Sequence, residues 1–267
     1  MSGRRLAACA ALALLAAGAP AQEAVLGGWA LPEGAVVHST SRTEMQATFS
    51  GPGGKAPVKS WSSDSTVTRI DRVEGGRLVR AVQRHEAEAG QTLVDGRPVP
   101  DAPDPLLSRE VAVERDGAGW RRSALGWRPS AAEREALDEP ATLDDAEYPA
   151  RPVAVGETVV VPDSALRRVY LGAAEGPHRL TVRLDSLGTF EGGPAAFLTQ
   201  EVQVVVDVGG GTMTMDMTAR IVRRLDWMLD VRTEWEGPVA FEYPGAAGGG
   251  TMRYVAEQTV ALPDGGP

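Results

Sequence analysis

Segments in which apolar and polar residues alternate dominate the chain, and glycine-rich turns separate them. Valine occupies every second position from 202 to 208, Gly209-Gly210-Gly211 follows, and every second residue from Met213 to Ile221 is again apolar. A period of two places successive side chains on opposite faces of a strand. Residues 202–221 therefore predict an antiparallel hairpin with one buried face and one face in water.

The same alternation recurs along most of the sequence. It is present, with differing regularity, in residues 37–49, 65–73, 77–86, 107–115, 180–184, 227–235 and 252–262. Turn dipeptides such as Asp95-Gly96 and Asp116-Gly117 also occur, and glycine tolerates the positive φ angles of tight hairpins. The chain is therefore predicted to be mainly β, an antiparallel meander of hairpins that forms a two-lobed open barrel or stacked curved sheets.

One short helix is predicted. Ser130 and Glu133 have the spacing of a capping box, good helix formers continue to about Asp138, and Pro140 ends the helix. This helix lies in the Pro- and acid-rich stretch 128–150, which we interpret as a connection between two β-rich halves.

The N-terminus has the three parts of a Sec-type signal peptide. Arg4 and Arg5 are followed by a small apolar run at 6–17 and by the cleavage motif Ala19-Pro20-Ala21. The apolar run is too short to span a bilayer stably. Because a proline at the cut bond disfavours cleavage after Ala19, we expect the mature chain to start at Gln22 and to be periplasmic or secreted.

Two other export routes are weaker interpretations of this segment. Leu6-Ala7-Ala8-Cys9 has the form of a bacterial lipoprotein box, but no apolar run precedes it. The arginine pair resembles a twin-arginine signal, although its neighbouring residues fit that motif poorly. The predicted organisation is a signal peptide at 1–21, an N-terminal β-rich half at 22–127, a connecting segment at 128–150 and a C-terminal β-rich half at 151–267.

The amino-acid composition limits the classes of binding partner that are expected. The 267 residues include 27 Lys+Arg and 36 Asp+Glu, a formal net charge of −9. Removing residues 1–21 removes two arginines and no acid, so the mature charge is −11. An acidic chain without basic blocks is not expected to bind nucleic acid. After the signal peptide no apolar run approaches the roughly 18 residues of a transmembrane helix, and the loss of Cys9 leaves no thiol chemistry.

Four segments of the second half together resemble an uncharacterised group of secreted bacterial β-rich proteins. They are Pro152-Val153-Ala154-Val155-Gly156-Glu157-Thr158 and residues 180–184, 213–223 and 226–236. The resemblance implies a β-rich fold and export. That group has no established activity, so the resemblance implies no reaction, cofactor or ligand.

Motifs for metal, phosphate or nucleophilic chemistry are incomplete. His85-Glu86 begins like a zincin motif, but Ala89 stands in the place of the second histidine ligand. The glycine-rich stretch 51–56 ends in Lys55-Ala56, where a phosphate loop needs Ser or Thr. No serine lies in a G-x-S-x-G motif. The sequence therefore predicts no cofactor and no metal.

Large apolar side chains on the predicted strands are candidates for a ligand-lining wall. Met213 and Met217 are about 14 Å apart along an extended strand, too far to share a copper ion without a methionine such as Met228 or Met252 from another strand. Core packing is the favoured interpretation, and an apolar ligand wall is the alternative. The candidate apolar ligand-lining residues are Met213, Met215, Met217, Trp227, Trp235 and Tyr254.

Three functional hypotheses remain open. The favoured one is a non-catalytic binding or envelope-associated module, with a lipid, another apolar ligand or an envelope protein as its partner. The second is a hydrolase of envelope polysaccharide that uses outward carboxylates such as Asp207 and Asp216, which would need to lie about 5–10 Å apart. The third is a structural protein of an exported complex. The absence of a complete catalytic constellation favours a protein that is not an enzyme.

Overall fold

A twelve-stranded antiparallel sheet is the main element of the computed structural model, which describes residues 22–100, 103–117, 119–139, 141, 143, 147–169 and 178–263. The predicted signal peptide, the lipoprotein-like Cys9 and the helix-ending Pro140 lie outside these residues. Within them, no helix is long and apolar enough to cross a bilayer.

The described residues form fourteen strands and two short helices. The strands are β1 (Glu23–Val25), β2 (Val36–Gly51), β3 (Gly54–Glu74), β4 (Arg77–Val94), β5 (Arg97–Val99), β6 (Glu110–Asp116), β7 (Gly119–Ala124), β8 (Pro152–Ala154), β9 (Thr158–Val160), β10 (Arg179–Phe190), β11 (Gly193–Val208), β12 (Gly211–Arg224), β13 (Leu229–Tyr243) and β14 (Ala246–Ala261). The helices are α1 (Ala131–Asp138) and α2 (Asp163–Val169).

The strand order confirms the predicted mainly β, open antiparallel meander. Neighbours run β7-β6-β4-β3-β2-β14-β13-β12-β11-β10-β9, and β5 pairs with β4. The sheet is open because β7 and β9 are its two edges. Strands β1 and β8 form a separate two-stranded sheet. The pairing of β2 with β14 joins strands from both predicted halves in one sheet.

The hairpin predicted from residues 202–221 is β11 and β12. Val202 lies opposite Met217 and Val206 lies opposite Met213, so the two alternating patterns share one face. Gly209 and Gly210 form the turn with φ angles of +55° and +87°, a region that glycine enters without a steric cost.

The predicted helix is α1, and its capping box is present. The Glu133 amide donates to Ser130 Oγ across 3.3 Å, and the Ser130 amide donates to the Glu133 carboxylate across 2.7 Å. Helix α2 was not predicted, because seven residues give too little periodicity for a helix to be recognised. It follows Pro162, and Arg167 pairs with Asp163 one turn earlier.

The face of the sheet that carries Met217, Ala219 and Val239 is buried, and we call it the inner face. Over β10–β13 it packs against residues 23–31 and 147–154, here called the cover, which contribute Leu26, Tyr148 and Val153 to the main core. A second core around Leu31 and Ile70 lies over β2–β4, and a third joins α1 to β6 and β7.

Candidate functional site

A row of polar side chains crosses four adjacent strands on the inner face. Gln258 of β14 lies opposite Ser39 of β2, Ser39 lies opposite Thr66 of β3, and Thr66 lies opposite His85 of β4. Directly opposed residues of an antiparallel pair point to the same face, so these four side chains form one line. All four line the same cavity.

The cavity has a volume of about 350 Å³. This is near the lower end of the roughly 300–1,000 Å³ that small-molecule pockets occupy. Its floor is the inner face of β14, β2, β3 and β4, and its opposite wall comes from Trp29, Leu143 and Tyr148. Met228 and Leu229, at the start of β13, form one further side.

The lining of the cavity is mixed in polarity. Val37, Leu78 and Leu229 line it and belong to the second hydrophobic core or pack against it. Thr68 and Gln83 lie in the same cross-strand row as Val37, and Ser39 and Thr66 lie two residues further along the strands. A molecule with both apolar and hydrogen-bonding parts matches this lining better than a wholly apolar or wholly polar molecule does.

The lining contains buried polar atoms without a hydrogen-bond partner among the described residues. The indole nitrogen Nε1 of Trp29 is such a donor, and the side-chain oxygen Oε1 of Gln258 is such an acceptor. An unsatisfied buried donor or acceptor costs roughly 1–3 kcal/mol. A ligand that accepts from Trp29 and donates to Gln258 would recover that cost.

The wall beside the cover contains a network of hydrogen bonds among buried polar side chains. The Tyr148 hydroxyl donates to Asp230 across 2.7 Å and accepts from Gln200 across 3.2 Å. Arg223 donates to Asp230 across 2.8 Å and to the Leu26 carbonyl across 2.7 Å. Its guanidinium also lies over the Tyr148 ring, 4.1 Å from the centroid. These contacts attach both parts of the cover to the sheet.

Burial raises the pKa of Tyr148 well above its ordinary value of 10.0, and the negative charge of Asp230 raises it further. Ionisation would place a buried phenolate next to a carboxylate, so the neutral form is strongly favoured. Tyr148 therefore acts as a hydrogen-bond donor in the wall and not as a proton-transfer group near neutral pH.

His85 is held at the rim of the cavity by Asp104. Its Nδ1 lies 2.7 Å from Asp104 Oδ2, and the other oxygen of that carboxylate accepts from the Leu106 amide across 2.8 Å. Because a carboxylate only accepts, Nδ1 must carry the proton. In the neutral ring, Nε2 is then an acceptor.

Met228 has an unusual backbone conformation at the edge of the cavity. Its φ is +52°, in the left-handed region, which costs a residue with a side chain roughly 1–2 kcal/mol. Strained residues of this kind cluster at ligand sites, where the surrounding structure holds them in place.

The six candidate ligand-lining residues lie elsewhere. Met215 and Met217 are buried in the main core, and Met213 and Trp235 pack against it. Trp227 packs against the second core and lies under the Arg224 guanidinium, which is 3.9 Å from the ring centroid. Tyr254 is half-buried opposite Trp235. None of the six lines the 350 Å³ cavity, and their role in binding a ligand stays a prediction.

The two carboxylates considered for hydrolysis are far apart. Asp216 lies opposite Gln203, whereas Asp207 lies opposite Thr212. Four residues along β12 separate the two positions, a distance of about 14 Å in an extended strand, beyond the range of a glycosidase pair. Both residues are exposed. In the described part of the chain, no group of three or more His, Cys, Asp or Glu residues has the arrangement of a metal site.

Sequence reasoning missed the cavity, although one signal was present. On β2 and β3, the positions that share a face with the core residues Val37 and Ile70 are mostly polar, among them Ser39, Thr66 and Thr68. Hydroxyl side chains at inner-face positions indicate a surface that meets something other than core. Trp29 and Tyr148 could not be placed there, because they lie in loops.

No protein-family model matches the sequence, and no curated protein matches it. Solved structures offer distant similarity only. A lipovitellin structure is 8% identical with a TM-score of 0.46, over 89% of this chain and 26% of that one. DynF of the dynemicin biosynthesis pathway of Micromonospora chersina is 11% identical, with a TM-score of 0.26 and coverage of 90% and 86%. A DUF1329 family protein from Desulfovibrio piger is 10% identical, with a TM-score of 0.17 and coverage of 85% and 87%.

The chain spans about a quarter of the lipovitellin chain that it matches. These matches are distant structural similarities and assign no family to the chain.

Proposed function

We propose that this protein is a non-catalytic module that binds a small amphiphilic molecule in the cavity between β2–β4 and Trp29. The observation that carries the proposal is the mixed lining, in which the apolar Val37 and Leu229 lie close to the hydroxyl side chains of Ser39, Thr66 and Thr68. The unsatisfied Trp29 donor and Gln258 acceptor support it, since both belong to that lining.

Binding is favoured over catalysis because Asp230, Arg223 and His85, three titratable residues of the lining, are each bound to another residue of the protein. Asp230 accepts from Tyr148 and Arg223, and His85 is bound to Asp104. These groups hold the wall and the rim in fixed positions. A fixed wall with two unsatisfied hydrogen-bonding atoms suits the recognition of a ligand.

A cavity-filling variant tests the proposal. Ser39→Phe places an aromatic ring on the cavity floor, whereas Thr40→Phe places the same ring on the exposed outer face of the same strand. The probe is N-phenyl-1-naphthylamine, a neutral amphiphile whose fluorescence rises in apolar surroundings. We expect the native protein and Thr40→Phe to bind it, and Ser39→Phe to lose binding by at least about tenfold while keeping the native circular dichroism spectrum.

If Ser39→Phe and Thr40→Phe bind the probe equally well, the probe binds somewhere other than this cavity. If Ser39→Phe does not fold, Thr68→Val replaces it, since this isosteric change alters the polarity of the floor. No binding by the native protein, together with native mass spectra free of any small molecule after purification from its own host, would favour the structural-protein alternative.

We also propose that the protein acts outside the cytoplasm, in the periplasm or beyond it. Support comes from the basic, apolar and Ala-x-Ala parts of residues 1–21. Cleavage after Ala21 leaves all of β1 in place, because that strand starts at Glu23. Intact mass of the protein from its own host should correspond to a chain that starts at Gln22, and retention of residues 1–21 would refute export by cleavage.

A further inference from the structure

The floor of the cavity has uncharged hydrogen-bonding side chains on four adjacent strands, here called the polar floor. They are Gln258 of β14, Ser39 of β2, Thr66 and Thr68 of β3, and Gln83 of β4. Neighbouring strands lie about 4.8 Å apart, so the polar floor extends about 14 Å from β14 to β4. A head group with a single polar atom contacts only a small part of this surface.

Thr68 is the most deeply buried member of the polar floor. It is 8% exposed, and its Oγ1 accepts a hydrogen bond from Gln83 Nε2 across 3.4 Å. Both side chains line the cavity, so a buried hydroxyl and a carboxamide lie side by side on its surface. A buried polar surface of this kind favours a ligand that forms hydrogen bonds over one that is wholly apolar.

The lining has both an unsatisfied donor and an unsatisfied acceptor. Nε1 of Trp29 only donates and Oε1 of Gln258 only accepts, and both atoms are buried without a hydrogen-bond partner among the described residues. An ammonium head group only donates, so it would leave Trp29 unsatisfied. A sulfate or carboxylate only accepts, so it would leave Gln258 unsatisfied. A hydroxyl both donates and accepts, so a head group with several hydroxyls satisfies both residues.

The titratable residues of the lining already interact within the protein. Arg223 pairs with Asp230 across 2.8 Å, and Nδ1 of His85 lies 2.7 Å from Asp104 Oδ2. Glu147 also has an interaction partner. A charged head group would have to compete for one of these residues or enter the cavity without a counter-charge. Because a charge loses more solvation free energy on burial than a neutral group does, the lining favours an uncharged head group.

We infer that the ligand is an amphiphile whose head group is uncharged and has several hydroxyls, like that of a glycolipid or a glycerol lipid. This head group lies between the polar floor and Trp29, and the apolar body contacts Val37, Leu78 and Leu229, which line the same cavity. This inference depends on the proposed binding function and adds the chemical class of the head group. Formation of the complex involves no covalent step.

Five ligands with the same octyl chain separate the head-group effect from the tail effect. Octyl glucoside, octyl glycerol ether, octanol, octylammonium and octyl sulfate, each below its micelle concentration, are titrated against bound N-phenyl-1-naphthylamine at low and at high salt. We expect at least one of the two polyols to bind about tenfold more tightly than octanol and than either ion, with an affinity that salt does not change. The order of the two polyols distinguishes a sugar head from a glycerol head. Isothermal calorimetry with octyl glucoside provides a readout that is independent of the probe.

Paired variants test the assigned residues. Trp29→Phe removes the indole donor but keeps an aromatic ring, and Gln258→Leu removes the acceptor at similar size. Together they should lower the ratio of polyol affinity to octanol affinity about tenfold, to near one. The matched control, Trp61→Phe/Gln46→Leu, makes the same changes at exposed positions on the outer face of β3 and β2 and should leave this ratio unchanged. If the first double variant does not fold, Gln258→Leu alone should lower the ratio about threefold.

The outcomes distinguish this inference from the proposed function. Failure of all five octyl compounds and of the naphthylamine to bind would refute both. Three results would refute the polyhydroxyl head group and leave the amphiphile cavity intact: equal affinities for the polyols and octanol, tighter binding of either ion than of both polyols, or a polyol preference that survives Trp29→Phe/Gln258→Leu.

Discussion

The hydroxyl of Tyr148 donates a hydrogen bond to the Asp230 carboxylate across 2.7 Å, and this contact joins the cover to β13 over 82 residues of sequence. Arg223 approaches the same carboxylate and also reaches the Leu26 carbonyl in the other part of the cover. One buried network thus holds both parts of the cover against the sheet and forms a wall of the cavity.

Removing the Tyr148 hydroxyl should loosen this wall. Tyr148→Phe deletes the bond to Asp230 and leaves the buried Gln200 amide without its acceptor, so the free energy of unfolding should fall by about 1–3 kcal/mol. Urea denaturation measures the change. Tyr243→Phe, which keeps the ring in its tilted contact with Phe49, is the control and should stay within about 0.5 kcal/mol of the native protein. Equal effects of the two variants would show that the network does not stabilise the cover.

The raised pKa of Tyr148 predicts a loss of stability in alkali. The folded state keeps Tyr148 protonated, while in the unfolded chain it ionises near its ordinary value of 10.0. The stabilisation is therefore complete below pH 10 and is lost above it, at up to about 1.4 kcal/mol per pH unit. Urea denaturation of the native protein across this pH range should show the decline, and Tyr148→Phe should show a smaller one. Parallel curves for the two proteins would contradict the assignment.

The opposed acids Asp64 and Glu88 predict a gain in stability when one charge is removed. Glu88→Gln keeps an oxygen for the Asp104 amide but ends the repulsion across β3 and β4, so the unliganded protein should gain about 0.2–1 kcal/mol at low salt. Thermal denaturation at low and high salt measures the gain, which should shrink as salt screens the charges. Glu44→Gln, on the outer face beside Arg42, should bring no gain. A destabilised Glu88→Gln protein would indicate that its charge is compensated.

Gly250 allows two strands to approach closely. A Cβ at this position would lie inside van der Waals contact of the Gln46 carbonyl oxygen and the Ala47 backbone on β2. Gly250→Ala should therefore destabilise the fold by about 1–3 kcal/mol, the cost of overpacking. At Gly249 the nearest atom would be the Val239 carbonyl oxygen at 3.5 Å, so Gly249→Ala is the matched control. Chemical denaturation should show a lower free energy of unfolding for Gly250→Ala than for Gly249→Ala. Equal values would show that β2 shifts to accommodate the added Cβ without loss of stability.

Local patterns in the sequence predicted parts of the long strands, the β11–β12 hairpin and helix α1, but not the short strands β1, β5, β7, β8 and β9 or residues 54–64 of β3. In each case the deciding information lies within about twenty residues: the alternation around Val202 and Met217, the glycine turn at Gly209, and the cap between Ser130 and Glu133. Alternation specifies which side chains share a face, and a short glycine turn specifies the register between two consecutive strands.

The pairing of β14 with β2 and the position of the cover were decided only by the tertiary structure. Val37 meets Val260 across more than two hundred residues, and Tyr148 meets Asp230 from a loop without periodicity. Such contacts depend on the fit of the whole sheet and its covering segments, so no local pattern encodes them. The cavity arises where the cover meets hydroxyl side chains of β2 and β3. The sequence alone therefore determined most of the long strands and which of their residues share a face, whereas the cavity that could bind a ligand exists only once distant segments have packed together.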